Sequence, residues 1–244
     1  MKFYHVDLCR KEIINLFEPR IPSHTLDDEN TDIPRICVSS SIEGALGSVP
    51  WGGRNMCNKG EYMIFRVYEF DSSKIDLNSV ITPKELVKNG YVPDALCYDE
   101  HWIMTPIKPD KVYYIIIESF YEKSEDYFTS DFYDLISNEI NSDDFDYDDY
   151  YVGCCTVITD LIYSIVPNED ILTGNIFEID LKDFIGIETS DLEKGIVWII
   201  DDYISDDNKV KKIKINKSTV TIEFEEEEGL YLDLFKKNLL EMVS

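Results

Sequence analysis

Six consecutive apolar residues, Val112-Tyr113-Tyr114-Ile115-Ile116-Ile117, constrain this chain more than any other feature. The run is far shorter than the roughly 20 residues needed to cross a bilayer, and its β-branched and aromatic content predicts a buried strand. Around it the first half reads as strand-rich. Tyr62 to Phe70 and Trp102 to Ile107 alternate in polarity, Lys2 to Val6 forms a short strand at the start, and Arg35-Ile36-Cys37-Val38-Ser39 is short and β-branched. Glu12 to Leu16 is expected as a turn of helix, followed by a polar loop from Pro19 to Pro34. Ser40 with Glu43 three residues on fits a capping box, so a strand is expected to run into a helix through three serines.

The second half is expected to mix elements. Cys154, Val157, Ile158, Leu161, Ile162 and Ile165 recur at helical spacing, which predicts an amphipathic helix ended by Pro167. Short strands are expected at Ile176 to Ile179 and at Val197 to Ile200. A hairpin is expected over Val210 to Glu225, turning at Asn216-Lys217-Ser218, with Lys211, Lys212 and Lys214 facing Glu223, Glu225 and Glu226. Leu230 to Val243 reads as a closing helix. The fold class is therefore α+β, with mixed or antiparallel sheets and short helices. Two regions are expected, 1–120 and 121–244, the second a small α+β region with a β-hairpin and a C-terminal helix.

Charge divides the same two regions. Residues 1–120 hold 18 Asp plus Glu against 13 Lys plus Arg, whereas residues 121–244 hold 31 against 10. A field of that sign repels phosphates and anionic lipid, so neither direct nucleic-acid binding nor membrane binding is expected, and a basic protein surface is the partner it would attract. The stretch Asn141 to Tyr151 alternates acids with aromatics, which suits an exposed or partly disordered segment. It lacks the Gly and terminal Glu of a calcium loop, so no metal is expected. No apolar run approaches membrane length, and Met1-Lys2-Phe3-Tyr4-His5 enters a strand pattern directly, which predicts a cytoplasmic protein. The six cysteines are scattered without a C-x-x-C pair, and read as free thiols, with Cys154 and Cys155 in the core of the expected helix.

Three features of the first half could carry chemistry: His5 in the first strand, Ser39, Ser40 and Ser41 at a helix N-terminus, and Glu100 in Asp99-Glu100-His101-Trp102. Each also has an ordinary structural reading: a satisfied strand histidine, a cap, a solvated acid. Arg35, Arg54 and Arg66 could hold a pyrophosphate bidentately or form ion pairs. Trp51-Gly52-Gly53-Arg54-Asn55 reads as a plain loop or as one covering a ligand.

In this order, and with the surrounding segments Phe3-Tyr4-His5-Val6, Pro34 to Leu46, and Val92-Pro93-Asp94-Ala95 through Glu100-His101-Trp102-Ile103, the first half resembles the ADP-ribosyltransferase-like fold superfamily, which includes RNA 2′-phosphotransferases and many phage and bacterial proteins. The resemblance implies that the chain acts on or binds NAD or a related nucleotide, with NAD as substrate. His5 would bond a ribose hydroxyl, Ser39 and Ser41 would shape the nicotinamide pocket with Arg35 nearby, and Glu100 would be the catalytic carboxylate stabilising an oxocarbenium-like ribose. Families that begin with His usually carry a Tyr in the second motif, where this chain has serines, so an active ADP-ribosyltransferase and a degenerate copy both fit. The enzymatic reading requires His5, Ser39 or Ser41, and Glu100 to converge on one cleft. The alternative is an acidic interaction or inhibitor protein of viral or mobile-element type, imitating nucleic acid on a partner's basic surface, beside the plain reading that acidity maintains solubility.

Overall fold

The computed structural model of the chain describes residues 1–7, 13–22, 29–49, 64–128, 151–167, 171–184, 187–203, 210–216 and 219–243. The expected α+β class is found. Seven antiparallel strands make the larger sheet: β1 (Lys2–Asp7), β2 (Ile36–Ser39), β3 (Ile64–Asp71), β4 (Val80–Ile81), β5 (Glu100–Ile103), β6 (Lys111–Phe128) and β7 (Tyr151–Val166), in the order β4-β5-β2-β1-β3-β6-β7. A second sheet has the order β8-β10-β9, from β8 (Ile171–Asp180), β9 (Val210–Ile215) and β10 (Thr219–Tyr231).

Period-two alternation places an apolar set on each face of the large sheet. Phe3, Ile36, Val38, Tyr68, Phe70 and Ile103 form one core, which Phe17 covers through a bridge to Ile107. On the other face Val6, Phe65, Val67 and Ile115 pack on Ile42, Ala45 and Leu46 of helix α1 (Ile42–Gly47) and on Ile158 of β7. The apolar run Val112 to Ile117 lies in β6, with Ile115 fully buried. Helix α2 (Pro83–Lys88) carries Leu86 and Val87 into a further cluster with Val92, Ala95 and Trp102. Its start is a capping box of Thr82 and Glu85 with Pro83 in the first turn.

A separate core lies on the second sheet, where Phe177, Ile179, Val220, Ile222 and Phe224 meet Leu192, Ile196 and Ile199 of α3 (Thr189–Tyr203) and Phe235 and Leu239 of α4 (Leu232–Val243). β6 runs unbroken through residue 120, so the regional boundary expected there falls inside a strand, and the distinct core begins only with β8.

Several local expectations are overturned. Residues 154–165 are strand β7, not a helix: pairing with β6 between Tyr114 and Phe128 satisfies their backbone, and it outweighs a helical spacing that a short apolar-rich segment also shows by chance. Val197–Ile200 belongs to α3, not to a strand, because Leu192, Ile196 and Ile199 form one helical face toward the second core. Residues 13–16 are not helical, and β5 ends at Ile103. The hairpin of β9 and β10 is present with Thr221 opposite Lys214 and Glu223 opposite Lys212, and Lys211 ion-pairs with Glu223. The closing helix begins at Leu232, because β10 continues to Tyr231. Trp51 to Asn55, Arg54 and residues 141–150 lie outside the described residues, as do Cys9 and Cys57.

Candidate functional site

The three segments that carry the resemblance become neighbours: β5, β2 and β1 lie side by side in the large sheet. Ser39 stands directly opposite Glu100 across β2 and β5, and opposite Tyr4 across β1 and β2. Paired residues of antiparallel strands project to the same face, so Tyr4, Ser39 and Glu100 share one side of the sheet. His5, one residue along, projects to the other. Its ring packs edge-on to Phe17 at 5.1 Å and lies 6.1 Å from Tyr68, and its Nδ1 donates to the Cys37 carbonyl at 3.0 Å. Burial lowers the pKa of His5. The structure therefore brings Ser39 and Glu100 together and leaves His5 on the opposite face.

Glu100 is the most perturbed carboxyl of the set. It is only 8 % exposed, and burial lifts its pKa to about 7 against the opposing pull of a hydrogen bond from Trp102 Nε1 to its Oε1 at 2.7 Å. Glu29 and Asp94 add negative field in the same direction, and Cys37, opposite Trp102 across β2 and β5, shares the face of the carboxyl. Asp94, also buried, is raised to about 6. The carboxyl thus changes charge near neutrality, as a general acid or base must, but it does so inside a packed cluster. Of these partners, Cys37 and Trp102 were legible in principle, since each lies two residues from Ser39 or Glu100 on the same face; Asp94 and Glu29 come from loops and carried no such signal.

Arg35 is consumed internally. Its guanidinium lies 3.9 Å above the Trp102 ring, on whose plane Tyr91 also stacks. It donates to the carbonyls of Asn30 at 2.8 Å and Ile33 at 3.1 Å and pairs with Glu29, while its Nε has no partner among the described residues. Arg66, likewise buried, spends its fork on Asp7, with Nε and Nη2 at 3.0 and 2.8 Å from the two carboxylate oxygens. Neither guanidinium is presented for a pyrophosphate.

The serines hold the corner between β2 and α1. Ser39 Oγ donates to the Tyr98 carbonyl at 2.8 Å and accepts from the Ser41 amide at 3.3 Å. Ser41, not Ser40, is the N-cap, accepting from the Gly44 amide at 3.0 Å, and Ser40 instead bonds the Asp99 carboxylate. Asp99 has a φ of 48°, so the turn before Glu100 is held in a left-handed conformation. Gly44 permits this packing, because a Cβ there would lie 2.2 Å from both Ser39 Oγ and the Tyr98 carbonyl.

β6 and β7 form a long two-stranded arm at the edge of the sheet. Tyr121, Ile162 and Ile165 are 70 %, 55 % and 64 % exposed along it, and Glu118, Glu122, Asp126 and Asp160 are exposed beside them. No helix among the described residues is long and apolar enough to cross a membrane. Comparison with protein-family models, with curated proteins and with solved structures found no match to this chain.

Proposed function

We propose that the chain is an ADP-ribosyltransferase-like frame without NAD turnover, a degenerate copy that works as an acidic interaction protein occupying a basic surface of a partner protein. The frame reading rests on the gathering of the three resembling segments into adjacent strands β5, β2 and β1. The observation that carries the loss of turnover is the division of the catalytic set: His5 faces away from Glu100, and Arg35, Ser39 and Ser41 are engaged in holding the fold. An oxocarbenium-like ribose needs its carboxylate and its positioning groups in one cleft. The partner reading rests on exposed apolar side chains and exposed acids along the same arm, which lies mostly in the half of the chain with 31 acids and 10 bases.

Nicotinamide release from NAD, measured on the wild type and on Glu100→Ala, is expected at background in both. Turnover by the wild type that the substitution abolishes would restore the enzyme. For the partner, the chain is titrated into labelled duplex DNA bound to a lysine-rich histone. Displacement is expected, falling steeply between about 50 and 200 mM salt, and weakened by Tyr121→Ser with Ile162→Ser. Equal displacement by polyglutamate of the same charge would reduce the effect to charge alone and refute the docking surface.

A further inference from the structure

We propose that the outer edge of β7, over residues 161–166, receives an extended segment of the partner as an added strand, one that alternates apolar residues with Lys or Arg. The inference rests on the acidic interaction reading above and specifies how, and with what chemistry, the arm meets its partner. β7 ends the large sheet, and among the described residues it pairs only with β6. An edge strand presents a row of unpaired amides and carbonyls, which proteins guard by short length, charge or irregular backbone. The other sheet edges here are guarded: β4 is two residues long, β8 pairs with β10 through a register shift, and β9 carries Lys211, Lys212 and Lys214 among its six residues. β7 is 16 residues long, contains no proline, and has Asp160 as its one charged residue.

The edge is not uniform along its length. Asp160 has a φ of 50° and sits in a register shift against β6, which divides the strand. On the far side of that division the Tyr98 hydroxyl already donates to the Thr156 carbonyl at 3.3 Å, and Ile158 packs on α1. Residues 161–166 remain, with Ile162 and Ile165 both more than half exposed. Successive side chains there alternate between faces. Leu161 and Tyr163 border the cluster of Ile42, Ala45 and Leu46, and Ile165, opposite Ile115 of the same cluster, extends that apolar face to the edge. The other face presents Ile162 and Ser164, whose hydroxyl donates to the Glu118 carboxylate. Apolar side chains of an added strand continue the first face. On the second, the stem of a Lys or Arg covers Ile162 while its head group reaches Glu118. Glu122, Asp126 and Asp160 are exposed along the arm and add to the negative field, and the arm's Lys123 is paired with Glu125. That field selects the occupant. A second copy of this chain would set its own acids against these, whereas a basic strand is attracted, with main-chain hydrogen bonds supplying affinity and the alternation supplying specificity.

A capped synthetic peptide alternating Lys and Val, long enough to span residues 161–166, is titrated into the full chain, and amide hydrogen exchange is read residue by residue. With the peptide at about ten times its Kd, the outward-pointing amides of residues 161–166 are expected to exchange about tenfold more slowly, with those of β1 and β9 unchanged. Ile165→Lys guards the edge as β9 is guarded and should weaken binding about tenfold or more. Ile176→Lys makes the same charge change at an exposed position of β8 and should alter Kd by less than about twofold. Equal weakening by the two substitutions would reduce the binding to charge and overturn the added strand. So would a peptide that fails to bind, or that binds and leaves exchange at residues 161–166 unchanged; DNA displacement from the histone that persists in that case keeps the acidic reading, and its loss removes both. Slow exchange of the same amides in the free chain, with a dimer in sedimentation, would overturn the proposal in favour of a second copy. The exchange measurements use the wild-type chain and do not depend on either variant folding.

Discussion

Arg35 and Glu100 show how two residues with catalytic potential become structural ones. The Arg35 guanidinium is sealed between Trp102 and the carbonyls of Asn30 and Ile33, with Glu29 as counter-ion. Removing it leaves a carboxylate and two carbonyls short of donors, so Arg35→Ala is expected to cost about 3–5 kcal/mol in urea unfolding. Arg35→Lys should recover little, because an ammonium can neither stack on the indole nor reach all three acceptors. Glu100 ties stability to pH. Its carboxyl titrates near 4.5 when unfolded and at about 7 when folded, so the folded state binds the extra proton between those values and stability falls as pH rises through the window. The loss approaches about 3 kcal/mol above pH 7. Asp94, raised to about 6, adds a fall of the same sign at slightly lower pH. Glu100→Gln keeps an acceptor for Trp102 Nε1 and should flatten most of the decline in Tm between pH 5 and pH 7.5; an unchanged slope would assign the dependence elsewhere.

At the scale of elements, the corner where β2 enters α1 is the most tightly specified part of the candidate site. Alanine in place of a helical glycine ordinarily stabilises by up to about 1 kcal/mol. At Gly44 the added methyl would meet the Tyr98 carbonyl and Ser39 Oγ at 2.2 Å, and the first of these is backbone that cannot rotate away. Gly44→Ala is therefore expected to destabilise by about 1–3 kcal/mol in chemical denaturation, with the turn at Tyr98 and Asp99 exchanging amide protons faster than in the wild type. The identity of β7 carries the complementary lesson. Cys154, Val157, Ile158, Leu161 and Ile165 are compatible with a helical stripe, yet β6 offers a long partner strand, and Cys155, Val157 and Ile158 are buried from within that ribbon. The local period was ambiguous, and non-local hydrogen bonding resolved it.

For the whole molecule, a net charge of −26 acts on every element at once. Part of it is neutralised locally, as between Lys211 and Glu223, Lys123 and Glu125, or Lys74 and Asp110, but these pairs are exposed and each contributes little. Self-repulsion of the compact state should dominate the response to ionic strength. Tm is expected to rise as sodium chloride increases from about 10 to 300 mM, as the screening length shrinks. A fall in Tm over that range would mean that attractive pairs outweigh the repulsion.

Much of the architecture could be read from residues alone, because alternation and apolar runs report burial directly: β1, β2, β3, the start of β6, the β9–β10 hairpin and the last helix all lie where the pattern placed them, give or take their ends. The serine corner was legible as a cap, shifted by one residue. What the residues could not convey was sidedness between distant segments. Whether His5 and Glu100 share a cleft depends on which residues of β1, β2 and β5 lie opposite one another, and in a sheet a one-residue difference in register reverses the face. The same holds for Glu29 and Asp94 around Glu100. Their meeting is a product of packing between strands and loops remote in sequence, where no periodicity of the chain carries the information.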